Sequence, residues 1–333
     1  MELLFRKKLI IQIAPPPKDA GFFILNPFSK KNYVLQRKTF IYLNGEIVKA
    51  SEAKTDFYSQ TLHYGYGVFE GIRSYKTADG KTKIFKEEEH FTRLHNSAKA
   101  LNLPYTWNND ELIKATYEVL KLNNLQDAYI RPLVYAPANM SFIENKESFI
   151  TIEAWEMQPF LGEKLLNVMT SSFERPNPKA FKIEAKATGH YVNSILASQE
   201  AKTKGYDEAI LKDMEGYVAE APGANFFVEK NGVLLTPQLG SILPGITRAT
   251  VFEICEELGI TVVEKKITLS EVHGADSAFF CGTAAEIIGI ATLDKIPFKK
   301  EWGNSLGSKI QKEYKELVTE KKNILKKRLT VNE

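Results

Sequence analysis

Two stretches decide the fold of this 333-residue chain: Lys186-Ala187-Thr188-Gly189-His190-Tyr191 and, further on, Gly216-Tyr217-Val218-Ala219-Glu220-Ala221-Pro222-Gly223-Ala224-Asn225. The first offers an amine and a phenol, and the second offers a carboxylate in a turn flanked by glycines. An amine can form an imine with an aldehyde, and a phenol can hydrogen-bond a ring oxygen. A carboxylate can keep a pyridine nitrogen protonated, so that the ring accepts carbanion charge. Lys186, Tyr191 and Glu220 therefore predict a site for pyridoxal phosphate.

The composition is that of an ordinary soluble globular enzyme. Hydrophobic residues make up 44% of the chain, charged residues make up 26%, and 44 basic against 41 acidic residues leave a net charge of +3. A nucleic-acid partner normally requires a basic face or stripe, so this small excess predicts none. The length predicts two domains.

The cysteines and histidines show no disulfide or metal-binding pattern. Cys255 and Cys281 are the two cysteines, and they form no C-x-x-C pair. The five histidines form neither an H-x-x-H nor an H-E-x-x-H pattern. We therefore expect reduced thiols, no metal site and a cytoplasmic protein.

Residues 1–39 resemble a secretory signal only superficially. Arg6-Lys7-Lys8 precedes the apolar Leu9-Ile10-Ile11, but Gln12 and Pro15-Pro16-Pro17 end that run too early for a signal core. We expect residues 1–39 to be a flexible extension, or else the product of a start site assigned too far upstream. No other segment has the apolar length of a membrane span, so no membrane partner is predicted.

A smaller domain is predicted over residues 40–157. It begins with a hairpin, because Asn44-Gly45 separates two short apolar runs. The run from Thr61 to Arg73 mixes glycines with aromatics, which suits backbone passing close to a ligand better than a regular element. Two helices and two strands are predicted after it, at Glu87–Leu101, Asp110–Leu122, Ala128–Tyr135 and Ser148–Trp155.

A larger domain is predicted over residues 164–320, after a linker at 158–163 that is rich in turn formers. The lysine-rich end, 321–333, is predicted to be a solvated tail. The predicted helices are Tyr191–Lys204, Thr247–Leu258 and Ser305–Val318. The predicted strands are Glu208–Lys212, Asn225–Glu229, Val233–Thr236, Thr261–Lys266 and Ser277–Cys281.

Three features could bind an anion. Pro244-Gly245 precedes a predicted helix whose N-cap candidate is Thr247, and helix starts favour anions. The small-residue turn Gly282-Thr283-Ala284 could offer amides and a hydroxyl. Arg93 lies on an apolar helix face, so it requires a buried anionic partner, either a phosphate or a structural carboxylate.

From about residue 40 to about residue 320, the sequence resembles the branched-chain amino-acid aminotransferases of the fold-type IV pyridoxal phosphate family. The resemblance implies an α+β fold with a smaller N-terminal α/β domain and a larger C-terminal pseudo-barrel domain. The motifs that carry it are His63-Tyr64-Gly65, Val68-Phe69-Glu70-Gly71-Ile72-Arg73, Arg93-Leu94-His95, Tyr129-Ile130-Arg131-Pro132, Lys186 to Tyr191, Glu220 to Asn225, Leu243-Pro244-Gly245-Ile246-Thr247-Arg248 and Gly282-Thr283-Ala284-Ala285-Glu286.

The resemblance also implies roles for individual residues. Lys186 would hold the cofactor and move the proton between the substrate Cα and the cofactor. The residues implied to bind the cofactor are Lys186, Tyr191, Glu220, Arg93, Ile246, Thr247 and Thr283. The residues implied to bind the substrate are Tyr64, Phe69, Gly71, Tyr129, Arg131, Thr283 and Ala284. The implied reaction is transamination of leucine, isoleucine and valine with 2-oxoglutarate, by a homodimer whose sites are completed by a loop of the partner subunit.

Other readings share some of these residues. A D-amino-acid aminotransferase or an aminodeoxychorismate lyase would use the same lysine and acid, and a non-catalytic binder could have kept the fold. The Tyr129-to-Pro132 and Gly282-to-Ala285 motifs favour the L-branched-chain reading. Five residues depart from the family pattern or do not clearly match it: Thr188, His190, Pro222, Ala224 and Trp155. They bear on substrate preference and not on cofactor use.

Overall fold

Two β-sheets make up the framework of the described chain. The computed structural model describes residues 39–157, Leu161 and residues 164–321. The strands of the first sheet are β1 (Phe40–Leu43), β2 (Glu46–Lys49), β3 (Gly67–Phe69), β4 (Ile72–Lys76), β5 (Thr82–Ile84), β6 (Ala128–Tyr135) and β7 (Phe149–Glu156). Their order is β2-β1-β7-β6-β4-β5, β3 also pairs with β6, and every pairing is antiparallel.

Two helices cover this first sheet. They are α2 (Glu87–Ala100) and α3 (Asn109–Leu122), after the short α1 (Gln60–Tyr64). Phe91 and Leu94 of α2 pack with Leu112 and Val119 of α3 in a fully buried core. Both helices match the predicted ones within one residue at each end, because their apolar stripes mark the buried face.

The run from Thr61 to Arg73 is more regular than predicted, since it contains most of α1, all of β3 and the start of β4. Its glycines have a different use. A Cβ on Gly71 would lie 1.9 Å from Tyr129 Oη, so the glycine makes room for a tyrosine of the neighbouring strand. Gly65 ends α1 with φ of 65° and touches Gly189.

The second sheet is mixed and has nine strands. They are β8 (Leu166–Glu174), β9 (Glu208–Lys212), β10 (Glu220–Ala221), β11 (Ala224–Lys230), β12 (Val233–Pro237), β13 (Val262–Lys265), β14 (Ser277–Gly282), β15 (Glu286–Leu293) and β16 (Ile296–Pro297). The order is β13-β12-β11-β14-β15-β8-β9, with β10 beside β11 and β16 beside β15. The predicted α+β fold is confirmed.

Four helices accompany the second sheet: α4 (Tyr191–Thr203), α5 (Ile246–Leu258), α6 (Leu269–His273) and α7 (Leu306–Val318). Gly259 ends α5 in the left-handed conformation, as its position predicted. The prediction that Thr247 is the N-cap is wrong, because Gly245 occupies that position. Asn225 Oδ1 would lie 1.9 Å from a Cβ at residue 245, so a residue with a side chain would not fit there.

Several predictions fall on parts of the chain that the structure does not describe. Residues 1–38, 322–333 and, apart from Leu161, 158–163 lie outside the described residues. Among the helices that are described, none combines the length and apolar character needed to cross a bilayer. Over the same ranges, no group of three or more His, Cys, Asp or Glu side chains is placed to hold a metal ion.

Candidate active site

The backbone of Lys186 is held by the first sheet and by helix α2. Its backbone N–H donates to Ser97 Oγ at 3.0 Å, and its carbonyl accepts from the Phe69 N–H at 3.0 Å. A 3-10 turn at Thr188–His190 then leads directly into α4. Because α4 begins at Tyr191, its side chain returns towards the lysine, and Lys186 Nζ donates to Tyr191 Oη at 2.6 Å. The predicted amine and phenol therefore form one pair.

Aromatic rings enclose this amine. The ring centroids of Phe69 and Tyr191 lie 4.7 Å apart in an edge-to-face arrangement. Lys186 Nζ lies 5.1 Å from each of the two centroids. The rings exclude water from one side of the nitrogen and provide an apolar surface beside it.

Arg131 and Tyr129 extend the same wall. They are two residues apart on β6 and therefore share a face of the sheet. The Arg131 guanidinium carbon lies 4.6 Å from the Phe69 ring centroid, 5.4 Å from that of Tyr129 and 5.8 Å from that of Trp155. Tyr129 and Trp155 are in ring contact at 5.2 Å, so Trp155, whose alignment the sequence left open, belongs to this wall.

Glu220 is 5% exposed and surrounded by donors. Arg175 Nη2 lies 3.0 Å from Oε1, Asn225 Nδ2 donates to Oε2 at 3.0 Å, and the Leu243 N–H reaches both oxygens at 3.2 and 3.3 Å. Burial raises the pKa of the Glu220 carboxyl. Arg175, the Leu243 amide and the charge of Lys186 act in the opposite direction and lower it, but the net shift is upward. Glu220 is therefore a buried carboxylate whose orientation is fixed by Arg175 and Asn225.

Arg175 is a site residue that the sequence reasoning missed. It follows β8, and its N–H donates to the Lys212 carbonyl at 2.8 Å. Its side chain is buried and points to a carboxylate 45 positions later in the sequence. The Arg175-Pro176 pair was the available signal, but it did not indicate a partner.

Arg93 has a structural carboxylate as its partner. Its Nε donates to Glu70 Oε1 at 2.7 Å and its Nη2 donates to Glu70 Oε2 at 2.8 Å. His90 Nδ1 lies 2.7 Å from the same Oε2. The remaining nitrogen, Nη1, donates to the Pro244 carbonyl at 2.9 Å, next to the start of α5. The Arg93 guanidinium is therefore fixed beside Ile246 and Thr247, the residues predicted to bind the phosphate, and some of its N–H groups remain without an acceptor among these contacts.

The two predicted anion turns lie at the ends of elements in the second sheet. Ile246 and Thr247 form the first turn of α5, whose N-cap makes no side-chain hydrogen bond, so its amides remain available. Thr283 and Ala284 form the half-buried turn between β14 and β15. Asn225 connects the first turn to Glu220, because its Nδ2 also donates to the Leu243 carbonyl at 3.0 Å.

Tyr64 lies elsewhere on the surface. It is 45% exposed, its ring packs on Phe142 at 5.4 Å, and its hydroxyl lies 3.5 Å from the Met140 carbonyl. With Gln60, Tyr66, Asn102, Ile143 and Glu144, Tyr64 and Phe142 line an open cavity of about 600 Å³. Its predicted role in the substrate pocket remains a prediction.

These residues fit pyridoxal phosphate. A lysine amine beside a phenol and a buried carboxylate are the groups that the two ends of the ring require. The uncapped start of α5 matches its phosphate. Arg131 Nε is buried without a hydrogen-bond acceptor among the described residues, which leaves a donor for a substrate group at the wall.

Comparison with known proteins gives the family. The profile of the family amino-transferase class IV matches residues 67–293. The chain belongs to the class IV aminotransferases.

Within the class IV aminotransferases, a "branched-chain-amino-acid aminotransferase" of Pseudomonas aeruginosa is 42% identical over 291 residues, which are 86% of this chain and 94% of that protein. A crystal structure of the branched-chain aminotransferase of Thermoproteus uzoniensis with norvaline matches with a TM-score of 0.82 at 38% identity, over 85% of this chain and 95% of that one. The branched-chain amino acid aminotransferase of Thermobaculum terrenum, in its PLP-bound holo-form, matches with a TM-score of 0.80 at 33% identity, over 85% and 95%.

Proposed function

We propose that this chain is a pyridoxal-phosphate-dependent branched-chain amino-acid aminotransferase. It transfers the amino group of L-leucine, L-isoleucine or L-valine to 2-oxoglutarate, and it yields the branched 2-oxo acids and L-glutamate. The observation that carries the proposal is the Lys186 amine, 2.6 Å from Tyr191 Oη, in a chain that also buries the Glu220 carboxylate 3.0 Å from Arg175. The family and its relatives agree with this chemistry.

The protein's own groups divide the work of proton transfer. Pyridoxal phosphate, when bound, supplies an electrophilic aldehyde and a ring that accepts the electron pair left when Cα loses its proton. Lys186 Nζ would accept that proton from Cα and donate it to the cofactor carbon that carried the aldehyde oxygen. Tyr191 Oη fixes the direction of Nζ, since the two atoms are hydrogen-bonded. The Glu220 carboxylate keeps a proton on the ring nitrogen.

The wall of the site explains how two unlike side chains are accepted. The rings of Phe69, Tyr129 and Trp155 offer apolar surface for an aliphatic chain, worth about 25 cal/mol for each Å² buried. Glutamate instead carries a γ-carboxylate, which requires a charge-assisted contact. Arg131 lies over the same rings and has a buried Nε with no acceptor among the described residues, so it is the group proposed to receive this carboxylate.

The test is turnover by the holoenzyme. Purified protein should produce glutamate from 2-oxoglutarate with L-leucine and not with D-leucine. Borohydride reduction should fix the cofactor on the peptide that contains Lys186, and Lys186→Ala should abolish turnover while it keeps residual cofactor binding. Turnover of D-leucine alone would indicate the opposite stereochemistry. A protein that takes up no pyridoxal phosphate would contradict the enzyme assignment.

A homodimer is proposed from an exposed apolar patch formed by Phe57, Tyr58, Leu62, Phe142 and Ile143. Phe57 is 84% exposed and Phe142 is 89% exposed, although both are large apolar residues. The patch joins two segments, since the Asn139 N–H donates to the Tyr58 carbonyl at 3.1 Å. It adjoins the lysine segment, where the Gly189 N–H donates to the Gly65 carbonyl at 3.0 Å.

In the proposed dimer, the segment from Met140 to Ile143 of the partner subunit completes each site. Light scattering should give twice the chain mass for the wild type. Phe142→Asp should give monomers that have lost most of their activity. A monomeric wild type with full activity would contradict the dimer.

Domain organisation and location remain proposals of the same kind. All strands of the first sheet end by Glu156, and all strands of the second sheet begin after residue 164, which supports domains at 40–157 and 164–320. A cytoplasmic location is supported by Cys255 and Cys281, which are buried, free thiols. Limited proteolysis and cell fractionation test the two proposals.

A further inference from the structure

Glu286 has an unusual position next to the Thr283–Ala284 turn. It is the first residue of β15, and it is 5% exposed. Its φ of 54° lies in the left-handed region, which a residue with a side chain adopts at an energetic cost. Such a conformation persists where the surroundings hold it.

Three side chains hold the Glu286 carboxylate. Tyr75 Oη donates to Oε1 at 2.9 Å, and Arg73 Nη1 lies 3.4 Å from the same oxygen. Lys315 of α7 donates to Oε2. Arg73 and Tyr75 belong to β4 of the first sheet, so this carboxylate connects the turn of the second sheet to the first sheet.

Arg73 also connects the cluster to Tyr129. The two residues are direct partners in the antiparallel pairing of β4 with β6, so they lie on one face of the first sheet. Arg73 is 7% exposed, and neither its Nε nor its Nη1 has a hydrogen-bond acceptor among the described residues, so Nη1 meets Glu286 as an ion pair at 3.4 Å and not as a hydrogen bond. Glu286 is therefore its nearby counter-charge, and moving Glu286 would leave a buried cation poorly compensated.

The family resemblance implies that Tyr129 and the amides of the Thr283–Ala284 turn bind the α-carboxylate of the substrate, and this proposed site depends on the connection. Tyr129 comes from the first sheet and the Thr283–Ala284 turn from the second, so their separation is set by contacts between the sheets. We propose that Glu286 is a positioning residue, which through Arg73 and Tyr75 holds the Thr283–Ala284 turn opposite Tyr129 and so sets the affinity for the substrate α-carboxylate. The inference rests on the proposed function, because it assumes that this turn receives a carboxylate.

The variant Glu286→Gln tests the inference. It keeps the side-chain volume and an acceptor for Tyr75 but removes the charge that faces Arg73 and Lys315. The probe is 4-methylvaleric acid, a leucine analogue without the amino group, titrated into the holoenzyme and followed by cofactor absorbance. The dissociation constant of this probe should rise about tenfold. The displaced Thr283–Ala284 turn would make weaker hydrogen bonds to the charged carboxylate of the probe. The KM for leucine should rise in parallel, with a much smaller change in kcat.

Glu229→Gln is the matched control. Glu229 is 1% exposed, accepts from Ser277 Oγ at 2.9 Å and pairs with Lys300, at the end of β11 away from Asn225. This variant should lose thermal stability yet bind the probe within about twofold of the wild type. Equal loss of probe affinity in both variants, or an unchanged constant in Glu286→Gln, would overturn the inference.

Tyr75→Phe is the milder variant in case Glu286→Gln does not fold. It removes a single hydroxyl that donates to Glu286 and should raise the probe's dissociation constant about threefold, whereas no change would count against the inference. The outcome for the wild type separates the two proposals. An active wild type with unaffected variants contradicts the positioning role alone, whereas a wild type that neither transaminates nor binds the probe contradicts the proposed function as well.

Discussion

Replacing Glu70 with glutamine tests the buried charges around Arg93. Glu70 is fully buried, and it accepts two hydrogen bonds from the Arg93 fork, at 2.7 and 2.8 Å, while His90 lies 2.7 Å from Oε2. Glutamine has nearly the same volume and keeps one acceptor oxygen. It removes the negative charge, and the Arg93 side chain, 13% exposed, would remain in place without compensation.

The expected magnitude follows from the geometry. Removing one partner of a buried ion pair costs about 3–5 kcal/mol of folding stability. Because glutamine retains one acceptor, the loss expected for Glu70→Gln is at the lower end, about 3 kcal/mol. For a chain of this size, with about 2.1 cal/mol/K of unfolding entropy per residue, that loss should lower the Tm of the cofactor-free protein by about 4–5 °C. A phosphate group bound beside Arg93 restores a counter-charge, so the deficit of the variant should shrink when pyridoxal phosphate is bound.

Thermal melts of the wild type and variant, each with and without pyridoxal phosphate, measure both quantities. Glu229→Gln serves as the control, because its buried carboxylate pairs with Lys300 and its deficit should be the same in both states. A cofactor-free Glu70→Gln protein that melts within about 2 °C of the wild type would refute the buried-charge reasoning. An equal deficit in both states would refute the contact between Arg93 and the phosphate.

Three further predictions concern the site and its pH dependence. In Gly71→Ala, the new Cβ would lie 1.9 Å from Tyr129 Oη, so Tyr129 must move and kcat/KM for leucine should fall about 10–100-fold; Gly303→Ala, which has open space around its Cβ, should leave it unchanged. Glu220→Gln should lower the rate at least about 100-fold in steady-state assays with little change in phosphate affinity, and an unchanged rate would remove its electronic role. Burial lowers the pKa of His90, although its contact with Glu70 raises it. Below a pH of about 6.5 the unfolded chain therefore binds more protons than the folded chain, and the Tm should decline as the pH falls. The variant His90→Asn should show a flatter dependence of Tm on pH.

The fold could be predicted where local chemistry decides the structure. Asn44 and Gly45 form the predicted turn with positive φ, and Gly259 ends its helix in the left-handed conformation. The apolar stripe of α2 predicted its extent to within one residue. In each case the signal and its structural consequence lie within a few positions of each other.

Predictions were weaker where a distant residue decides the local structure. The regular strands β3 and β4 were missed because the glycines between Thr61 and Arg73 accommodate neighbours such as Tyr129, and no local pattern reveals such a neighbour. The N-cap at Gly245 depends on Asn225, 20 positions earlier. Arg175 was missed for the same reason, since its carboxylate partner lies on another strand.

Within the candidate site, contacts inside one motif were predicted from the sequence, whereas contacts between motifs were not. The amine and phenol of Lys186 and Tyr191 were predicted as a pair because they lie five positions apart, and the structure places them in contact. The partner of Arg93 was left open between a phosphate and a carboxylate, and the structure shows the carboxylate of Glu70. Sequence spacing indicated that a buried charge was present but not which group compensates it.

The charges of the separate motifs compensate one another. Glu70 pairs with Arg93, which lies on the next helix, and the two belong to different motifs. Arg73, three residues after Glu70, faces Glu286, which follows the Thr283–Ala284 turn. Because each buried ion would be costly alone, every such motif requires another to be in place before it is stable. The residues next to the ligand-binding groups are therefore fixed by folding energetics, and substitutions there should change ligand affinity without a contact to any ligand.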